Sequence, residues 1–123
     1  MLPPFLVGKI PEKTYVRWLK RRAVAHVRRD RARRMEASVA DYETRIHAAV
    51  VASEGVDAYT GEPLRWDLIS TFRNKRIAHL PTVDHFEDGS FRICSWRTND
   101  AKGDMTIAEF RGRERQARES RCA

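Results

Sequence analysis

The chain has 123 residues, which allows one hydrophobic core of modest size and argues against two independent domains. Its 24 Lys and Arg residues against 17 Asp and Glu, with a pI near 10, favour a polyanionic partner, above all nucleic acid, over a neutral metabolite. No apolar stretch reaches the roughly 18 residues of a membrane span, and the opening segment is too short for an export signal. We therefore expect a soluble cytoplasmic protein without a membrane partner.

The first predicted element is an amphipathic helix over residues 11–34. The segment has no glycine and no internal proline, and apolar residues recur at steps of three and four, at Val16, Leu19, Ala23 and Val27. On the opposite side lie four arginines, Arg17, Arg21, Arg28 and Arg29, together with Trp18 and Ala25. This side is either a solvated face, a phosphate-binding surface or, through Trp18, a packing surface.

A second amphipathic helix is predicted up to Gly55. Its apolar positions are Met35, Val39, Tyr42, Ile46 and Ala49 or Val50. Because neither glycine nor proline separates it from the first helix, the sequence allows one long bent helix or two helices that fold back on each other.

A turn at Tyr59–Pro63 then leads into a short predicted helix. Its apolar residues are Trp66, Leu68, Ile69 and Phe72, and it is ended by Arg73, Lys75 and Arg76. We interpret Trp66, like Trp96 further on, as a core residue and not as a base-stacking platform.

A β-hairpin is predicted next, with strands at residues 82–86 and 91–96. The sequence Asp88-Gly89 between them is a strong turn signal. Residues 97–104 favour a helix, and Thr106 with Glu109 forms a capping box for the last one. The charged tail after Phe110 is expected to fray or to contact an anion.

The residues that could bind a metal ion or transfer a proton lie in this hairpin and in the helix after it. Asp84 and His85 end the first strand, and Asn99 lies on the helix. Carboxylate and amide oxygens suit Mg²⁺ or Mn²⁺ and leave positions for water and phosphate, while a neutral imidazole can take a proton from water. The structural alternative is a solvent-exposed hairpin end, with Asn99 as a helix cap.

These residues and their neighbours resemble the HNH endonucleases of the ββα-metal, or His-Me finger, class. The similarity lies in the order and spacing of "YTGEPLRW" (59–66), "PTVDHF" (81–86), "FRICSWRTNDAKGD" (91–104) and "TIAEF" (106–110). These stretches cover roughly the carboxy-terminal half of the chain.

The resemblance implies a role for each matching residue. His85 would be the general base, Asp84 a metal ligand and Asn99 the ligand from the helix, with Lys102 one helical turn further on near the phosphate. Ser90 stands where the family usually has an asparagine that orients the base. The resemblance also implies 3′-hydroxyl and 5′-phosphate products, with little base readout.

Structural zinc is not expected. Many HNH relatives hold zinc with two Cys-x-x-Cys pairs, whereas the corresponding stretches here contain Asp57 and Cys94 or Thr98. Cys122 is the penultimate residue of the charged tail. We expect both cysteines to be reduced thiols without a structural disulfide.

The predicted fold is α+β in one domain, residues 1–123. A basic part with two helices occupies residues 1–55, a ββα-metal core residues 57–112, and a basic helix ends the chain. The predicted activity is hydrolysis of phosphodiester bonds, with Mg²⁺ or Mn²⁺ as cofactor and DNA as the expected substrate. Phosphate contacts are expected from the four arginines of the first helix and from Arg92, Arg97 and Lys102.

Two other functions stay open at the level of sequence. One is a catalytically silent HNH-like protein that binds nucleic acid, which Ser90 favours. The other is a basic RNA-binding protein in which residues 84–102 are only structural. The target sequence, the oligomeric state and the biological pathway are not encoded in any recognisable pattern.

Overall fold

The computed structural model describes residues 1–70, 78–86, 88–103 and, near the carboxy terminus, 108–109, 112–113 and 115–117. The fold is α+β, as predicted, with two helices before an antiparallel hairpin and helical structure after it. The elements are α1 (Glu12–Ala32), α2 (Val39–Ser53), β1 (Pro81–His85), β2 (Phe91–Ser95) and α3 (Trp96–Lys102), with short 3-10 turns at Pro4–Leu6 and Trp66–Leu68.

The first two helices are separate and fold back on each other. Helix α1 ends where Arg34 adopts a left-handed φ of 63° and the N–H of Met35 bonds to the carbonyl of Asp30 at 2.9 Å. Helix α2 begins at Val39 because Ser38 caps it. The long bent helix is therefore excluded, and the predicted apolar position at Met35 is wrong, since this side chain is exposed.

The buried side of α1 is wider than the predicted stripe. Three of the four predicted apolar positions are buried, but Val16 is 46% exposed. Trp18, predicted on the arginine side, is buried, and its ring centroid lies 5.4 Å from that of Trp66. The reason is that α1 is covered both by α2 and by the segment around Trp66, and the buried arc extends to His26 and Asp30.

One hydrophobic cluster joins the amino-terminal helices to the hairpin. It runs from Leu6 and Tyr15 through Ile46 to Phe91 and Ile93. Burial of each such large side chain contributes about 1.5–3 kcal/mol to folding. The division into residues 1–55 and 57–112 stays a prediction.

The predicted hairpin is confirmed to within one residue at each strand end. Strand β1 pairs antiparallel with β2, so that Asp84 lies opposite Arg92 and His85 opposite Phe91. Gly89 adopts the positive φ of 88° that the turn requires. Helix α3 follows β2 without a loop and packs against both strands, which places its inner face beside β1.

Asp57 ties the loop before the hairpin to the end of β2. Its buried carboxylate accepts the backbone N–H groups of Tyr59 at 2.8 Å, Thr60 at 3.2 Å and Ser95 at 2.9 Å. Cys94, next to this junction, is a buried free thiol whose pKa is raised, chiefly by burial. Two of these charge-assisted hydrogen bonds hold the loop itself, and the third, from Ser95, cross-links the loop to the end of β2.

Some predicted features lie outside the described residues. They are the part of the short helix that contains Phe72, Arg73, Lys75 and Arg76, the capping residue Thr106 and the second cysteine, Cys122. The described start of that short helix, Trp66–Leu68, is a 3-10 turn.

Among the described residues, no helix combines the length and the apolar character needed to traverse a bilayer.

Candidate functional site at the end of the hairpin

The Asp84 cluster, formed by Asp84, Tyr59 and Lys102, lies between β1 and α3. Tyr59 donates its hydroxyl to Oδ2 of Asp84 at 2.6 Å, and the Lys102 ammonium lies 3.1 Å from the same oxygen. The side chains of Asp84 and Lys102 are only 13% and 6% exposed. Burial, followed by the bond to Asp84, raises the pKa of Tyr59, so this hydroxyl keeps its proton.

Asn99 lies one helical turn before Lys102 on α3. Residues at this spacing share a helix face, and the Asn99 side chain is half-buried there. Asp84 and Asn99 together offer two oxygen ligands. In the described part of the chain, no three His, Cys, Asp or Glu residues form a metal-binding group. A divalent ion would therefore take its other ligands from water and phosphate, which is usual for Mg²⁺.

The donor set fits such an ion on one condition. The Lys102 ammonium already neutralises the Asp84 carboxylate. Since two cations at contact distance on one carboxylate oxygen repel each other strongly, an ion would have to bind through Oδ1 of Asp84, or Lys102 would have to move away from Oδ2.

The His85 cluster, formed by His85, Asp30, Tyr42 and Phe91, lies between the hairpin and the two amino-terminal helices. Nδ1 of His85 is 2.7 Å from Oδ2 of Asp30, and the Tyr42 hydroxyl donates to that same oxygen at 2.6 Å. The His85 ring stacks on Phe91 with centroids 4.2 Å apart. Burial first, then the bond to Asp30, raises the pKa of Tyr42 to about 12.

The two clusters lie on opposite faces of the hairpin. Successive residues of a strand project to opposite sides, and Asp84 accordingly contacts α3 while His85 contacts α1. We predicted that the hairpin and its helix would bring these groups to one point. The structure brings Asp84 and Lys102 together, but it holds His85 on the other side of β1.

The turn explains what Ser90 does. Its backbone N–H bonds to Asp88 Oδ1 at 2.9 Å and its hydroxyl to the same oxygen, while its carbonyl accepts the N–H of Phe86 at 2.7 Å. Ser90 therefore closes the turn, and the carboxylate in contact with His85 is that of Asp30.

Sequence reasoning missed three residues around His85. Asp30 had a signal, because this acid lies three positions after Val27, on the buried side of an otherwise basic helix. Tyr42 was predicted only as an apolar packing residue. Arg45 had no signal, because its contacts are distant in sequence: its guanidinium donates to the carbonyl of Gly89 and lies over the rings of Tyr42 and Phe91.

A second buried histidine, His26, lies beside the His85 cluster. Its Nε2 donates to the carbonyl of Val83 at 3.0 Å, whereas its buried Nδ1 has no hydrogen-bond partner among the described residues. Burial, reinforced by the positive charge of Arg29, lowers the pKa of His26 to about 4. His26 is therefore neutral at physiological pH and serves the hairpin as a hydrogen-bond donor.

The arginines predicted to bind phosphate differ in exposure. Arg17, Arg28 and Arg29 on α1 are exposed, as is Arg97 on α3. Arg21 is partly buried and donates to the carbonyl of Ile69 at 3.0 Å, and burial lowers its pKa. Arg92 is also partly buried. Its guanidinium lies over the ring of Phe86, and its Nη2 is 3.7 Å from Oδ2 of Asp88.

Comparison of the chain with protein-family models, curated proteins and solved structures gave no match. The similarity to HNH endonucleases thus rests on the residues quoted from the sequence.

Proposed function

We propose that this protein is a metal-dependent endonuclease that hydrolyses phosphodiester bonds in DNA, with His85 as the general base. The observation that carries the proposal is the contact of 2.7 Å between His85 Nδ1 and the buried Asp30 carboxylate. A carboxylate on one ring nitrogen holds the imidazole in place and stabilises the cation that forms when the other nitrogen takes a proton.

The reaction follows from that arrangement. Nε2 of His85 lies 3.2 Å from the carbonyl of Gly89 and must leave that carbonyl before it can take a proton from water. The resulting hydroxide oxygen bonds to phosphorus while the bond to the 3′ oxygen breaks. The 3′ oxygen leaves with a proton from solvent, which gives 3′-hydroxyl and 5′-phosphate ends, as the family resemblance implies. General-base assistance of this kind contributes about 10²–10⁴-fold to a rate.

Asp84 and Asn99 would hold the divalent ion on the other face of β1. The ion supplies a positive charge that stabilises the charge developing on the phosphate. If Lys102 moved away from Asp84 to admit the ion, its ammonium would be free to pair with the same phosphate. Because Asp84 and His85 project to opposite faces of β1, the proposal requires the phosphodiester to reach both faces of the strand.

The basic surface would hold the nucleic acid. Arg17, Arg28 and Arg29 are exposed on α1 and Arg97 is exposed on α3, and the chain carries a net charge of +7. Contacts of this type neutralise phosphates without reading base sequence.

A second candidate is a nucleic-acid-binding protein without hydrolytic activity. The ion pair between Asp84 and Lys102 favours this candidate, because a carboxylate that is already neutralised attracts a metal ion only weakly. The position of His85 on the opposite face of the strand favours it too.

Plasmid nicking separates the two candidates. Supercoiled DNA is incubated with the wild-type protein in Mg²⁺ and, in parallel, in excess chelator, and binding is measured in chelator on the same DNA. The endonuclease nicks DNA only with Mg²⁺ and leaves ends that a ligase can reseal. Tight binding with no nicking in Mg²⁺ or Mn²⁺ would support the silent protein and contradict the proposed function.

A further inference from the structure

We infer that two copies of this chain bind each other through an apolar groove beside the 3-10 turn near the amino terminus. This amino-terminal groove lies between that turn, the end of α2 and the segment that leads into the second 3-10 turn. It is lined by Phe5, Ile10, Gly55, Leu64 and Trp66, with Lys9 and Glu54 at its rim. The inference does not depend on the proposed hydrolysis of DNA, so either proposal can fail alone.

The groove is large and its walls are packed. Its volume is about 290 Å³, whereas a cavity of about 150 Å³ already holds a benzene-sized group. Phe5 and Trp66 meet edge-on, with ring centroids 5.5 Å apart. Gly55 adopts a φ of 90°, and a Cβ at this position would lie 3.1 Å from the Phe5 ring. The groove therefore has a fixed shape and has room for apolar side chains of a partner.

A small molecule is a poor occupant of this groove. Sites for small molecules offer a few polar groups that fix the orientation of the ligand. Here the indole N–H of Trp66 already donates to the carbonyl of Gly55 at 3.1 Å. Among the described residues that line the groove, no side chain has a buried polar atom without a hydrogen-bond partner. The groove is therefore suited to apolar side chains of a protein.

The charges at the rim disfavour nucleic acid as the occupant. Two acidic residues, Glu54 and Asp67, line the groove together with Lys9, and Asp67 is paired with Arg65 at 2.8 Å. A polyanion gains little from a rim with equal numbers of acidic and basic groups, in contrast to the exposed arginines of α1. In a chain with a net charge of +7, this rim is also a place where two copies meet with little repulsion.

A second copy of the chain supplies the complementary charges. Lys9 and Glu54 are both exposed at the same rim, and neither forms an ion pair with another described residue. When two identical surfaces meet about a twofold axis, every contact occurs twice, with the roles of the two copies exchanged. Lys9 of each copy then faces the partner's Glu54, which gives two ion pairs in one interface.

Val7 supplies the apolar side chain that enters the groove of the other copy. It directly follows Leu6 of the 3-10 turn, which is 1% exposed and anchors the turn in the core, whereas Val7 is 66% exposed. An exposed apolar side chain next to an apolar groove marks an interaction surface. Because one surface carries both the side chain and the groove, it complements a second copy of itself.

Sedimentation velocity of the whole wild-type chain, without nucleic acid, tests for the dimer. The salt concentration is about 0.15 M, so that long-range repulsion between the basic chains is screened. Protein concentrations run from about 1 μM to about 1 mM, which spans moderate to weak affinities. We expect the dimer fraction to rise with concentration. A protein that stays monomeric over the whole range overturns the inference.

Exchange of the rim charges tests which surface forms the dimer. Lys9→Glu and Glu54→Lys each place like charges opposite each other at both contacts, and each should weaken the dimer at least roughly tenfold. The double variant Lys9→Glu/Glu54→Lys restores opposite charges and should dimerise like the wild type. Single variants that dimerise normally, or a double variant that does not recover, would overturn the pairing and with it the inference.

Two more variants complete the test. Val7→Asp places a charge against the apolar groove and should abolish the dimer, while circular dichroism checks that the helices are retained. Lys20→Glu/Glu36→Lys, the matched control, exchanges two exposed charges outside the groove and should leave the dimer unchanged. A dimer that persists in Val7→Asp, or that is lost in the control as well, contradicts an interface at the amino-terminal groove.

Discussion

The Asp84 cluster and the His85 cluster have the same design on opposite faces of one strand. In each, a tyrosine hydroxyl donates at 2.6 Å to the carboxylate oxygen that also contacts a nitrogen base, Lys102 at 3.1 Å or His85 at 2.7 Å. The difference lies in the base. A lysine ammonium stays charged at neutral pH and neutralises the carboxylate that it contacts, whereas an imidazole can exchange a proton near neutrality. Under the proposed function, the same arrangement would serve as a metal site on one face and as a proton-transfer site on the other.

The largest stability effect is expected at Asp57, a third buried carboxylate, whose described partners are backbone amides. Asp57→Ala leaves three N–H groups without their acceptor and should lower the free energy of unfolding by about 3–6 kcal/mol. Urea denaturation measures the change. Asp67→Ala removes an exposed acid paired with Arg65 and should change the free energy of unfolding much less. Equal effects of the two variants would contradict the cross-linking role of Asp57.

A pH effect should distinguish His26 from the neighbouring His85, because His26 has no carboxylate partner among the described residues. Its pKa is about 4 in the folded protein against 6.5 in the unfolded chain. Between these values the unfolded chain binds a proton that the folded protein excludes, so stability is full above pH 6.5 and falls as the pH drops toward 4. The loss should approach about 3 kcal/mol.

The variant His26→Gln tests this directly, because its amide can still donate to the carbonyl of Val83. As the pH falls from 6.5 toward 4, the unfolding free energy of the wild type, measured by urea denaturation, should drop by up to about 3 kcal/mol relative to that of the variant. Parallel curves would show that His26 contributes nothing to acid sensitivity.

If the exposed arginines of α1 bind phosphate, replacing them should change the salt dependence of DNA binding. Changing Arg17, Arg28 and Arg29 together to Gln should lower the slope of log K against log salt by about 3, since each released counterion contributes ~0.9. Arg21→Gln should leave the slope unchanged, because this side chain is bonded to Ile69. Fluorescence anisotropy at several salt concentrations, on two unrelated duplexes, measures the slope for each variant. An unchanged slope in the triple variant would show that α1 does not contact the phosphates.

The smallest predicted effect concerns metal affinity in the Asp84 cluster. Lys102→Met removes the competing ammonium and should tighten Mn²⁺ or Mg²⁺ binding roughly tenfold, or about 1.4 kcal/mol. Asp84→Ala and Asn99→Ala should weaken binding instead. Calorimetric titration in the absence of DNA measures all three. Identical affinities in the wild type and the three variants would exclude the metal site.

The sequence predicted those parts of the fold that local signals determine. Asp88-Gly89 located the hairpin because the turn depends on two adjacent residues. The sequence left the reversal after α1 open as one of two alternatives, since Arg34 adopts a left-handed φ that the sequence does not demand of an arginine. The start of α2 could have been found from Ser38, a good helix cap.

The candidate site was only half predictable for a related reason. The hairpin and α3 are close in sequence, so the spacing predicted that residues of α3 lie near Asp84, but the ion pair of Asp84 with Lys102 was not predicted. The partner of His85 comes from α1, and no local pattern connects residue 30 with residue 85. Successive side chains of a strand project to opposite faces, and this local rule alone would have predicted that Asp84 and His85 lie on opposite faces.

The central claim is that His85 transfers the proton, and single-turnover nicking tests it most directly. The nicking rate of His85→Ala is compared with that of the wild type at saturating Mg²⁺. The matched control is His79→Ala, which removes a more exposed histidine paired with Glu62. DNA affinity is measured on the same preparations. We predict a rate loss of about 10²–10⁴-fold for His85→Ala alone, with unchanged affinity in both variants. A His85→Ala protein that nicks DNA at the wild-type rate would contradict the account.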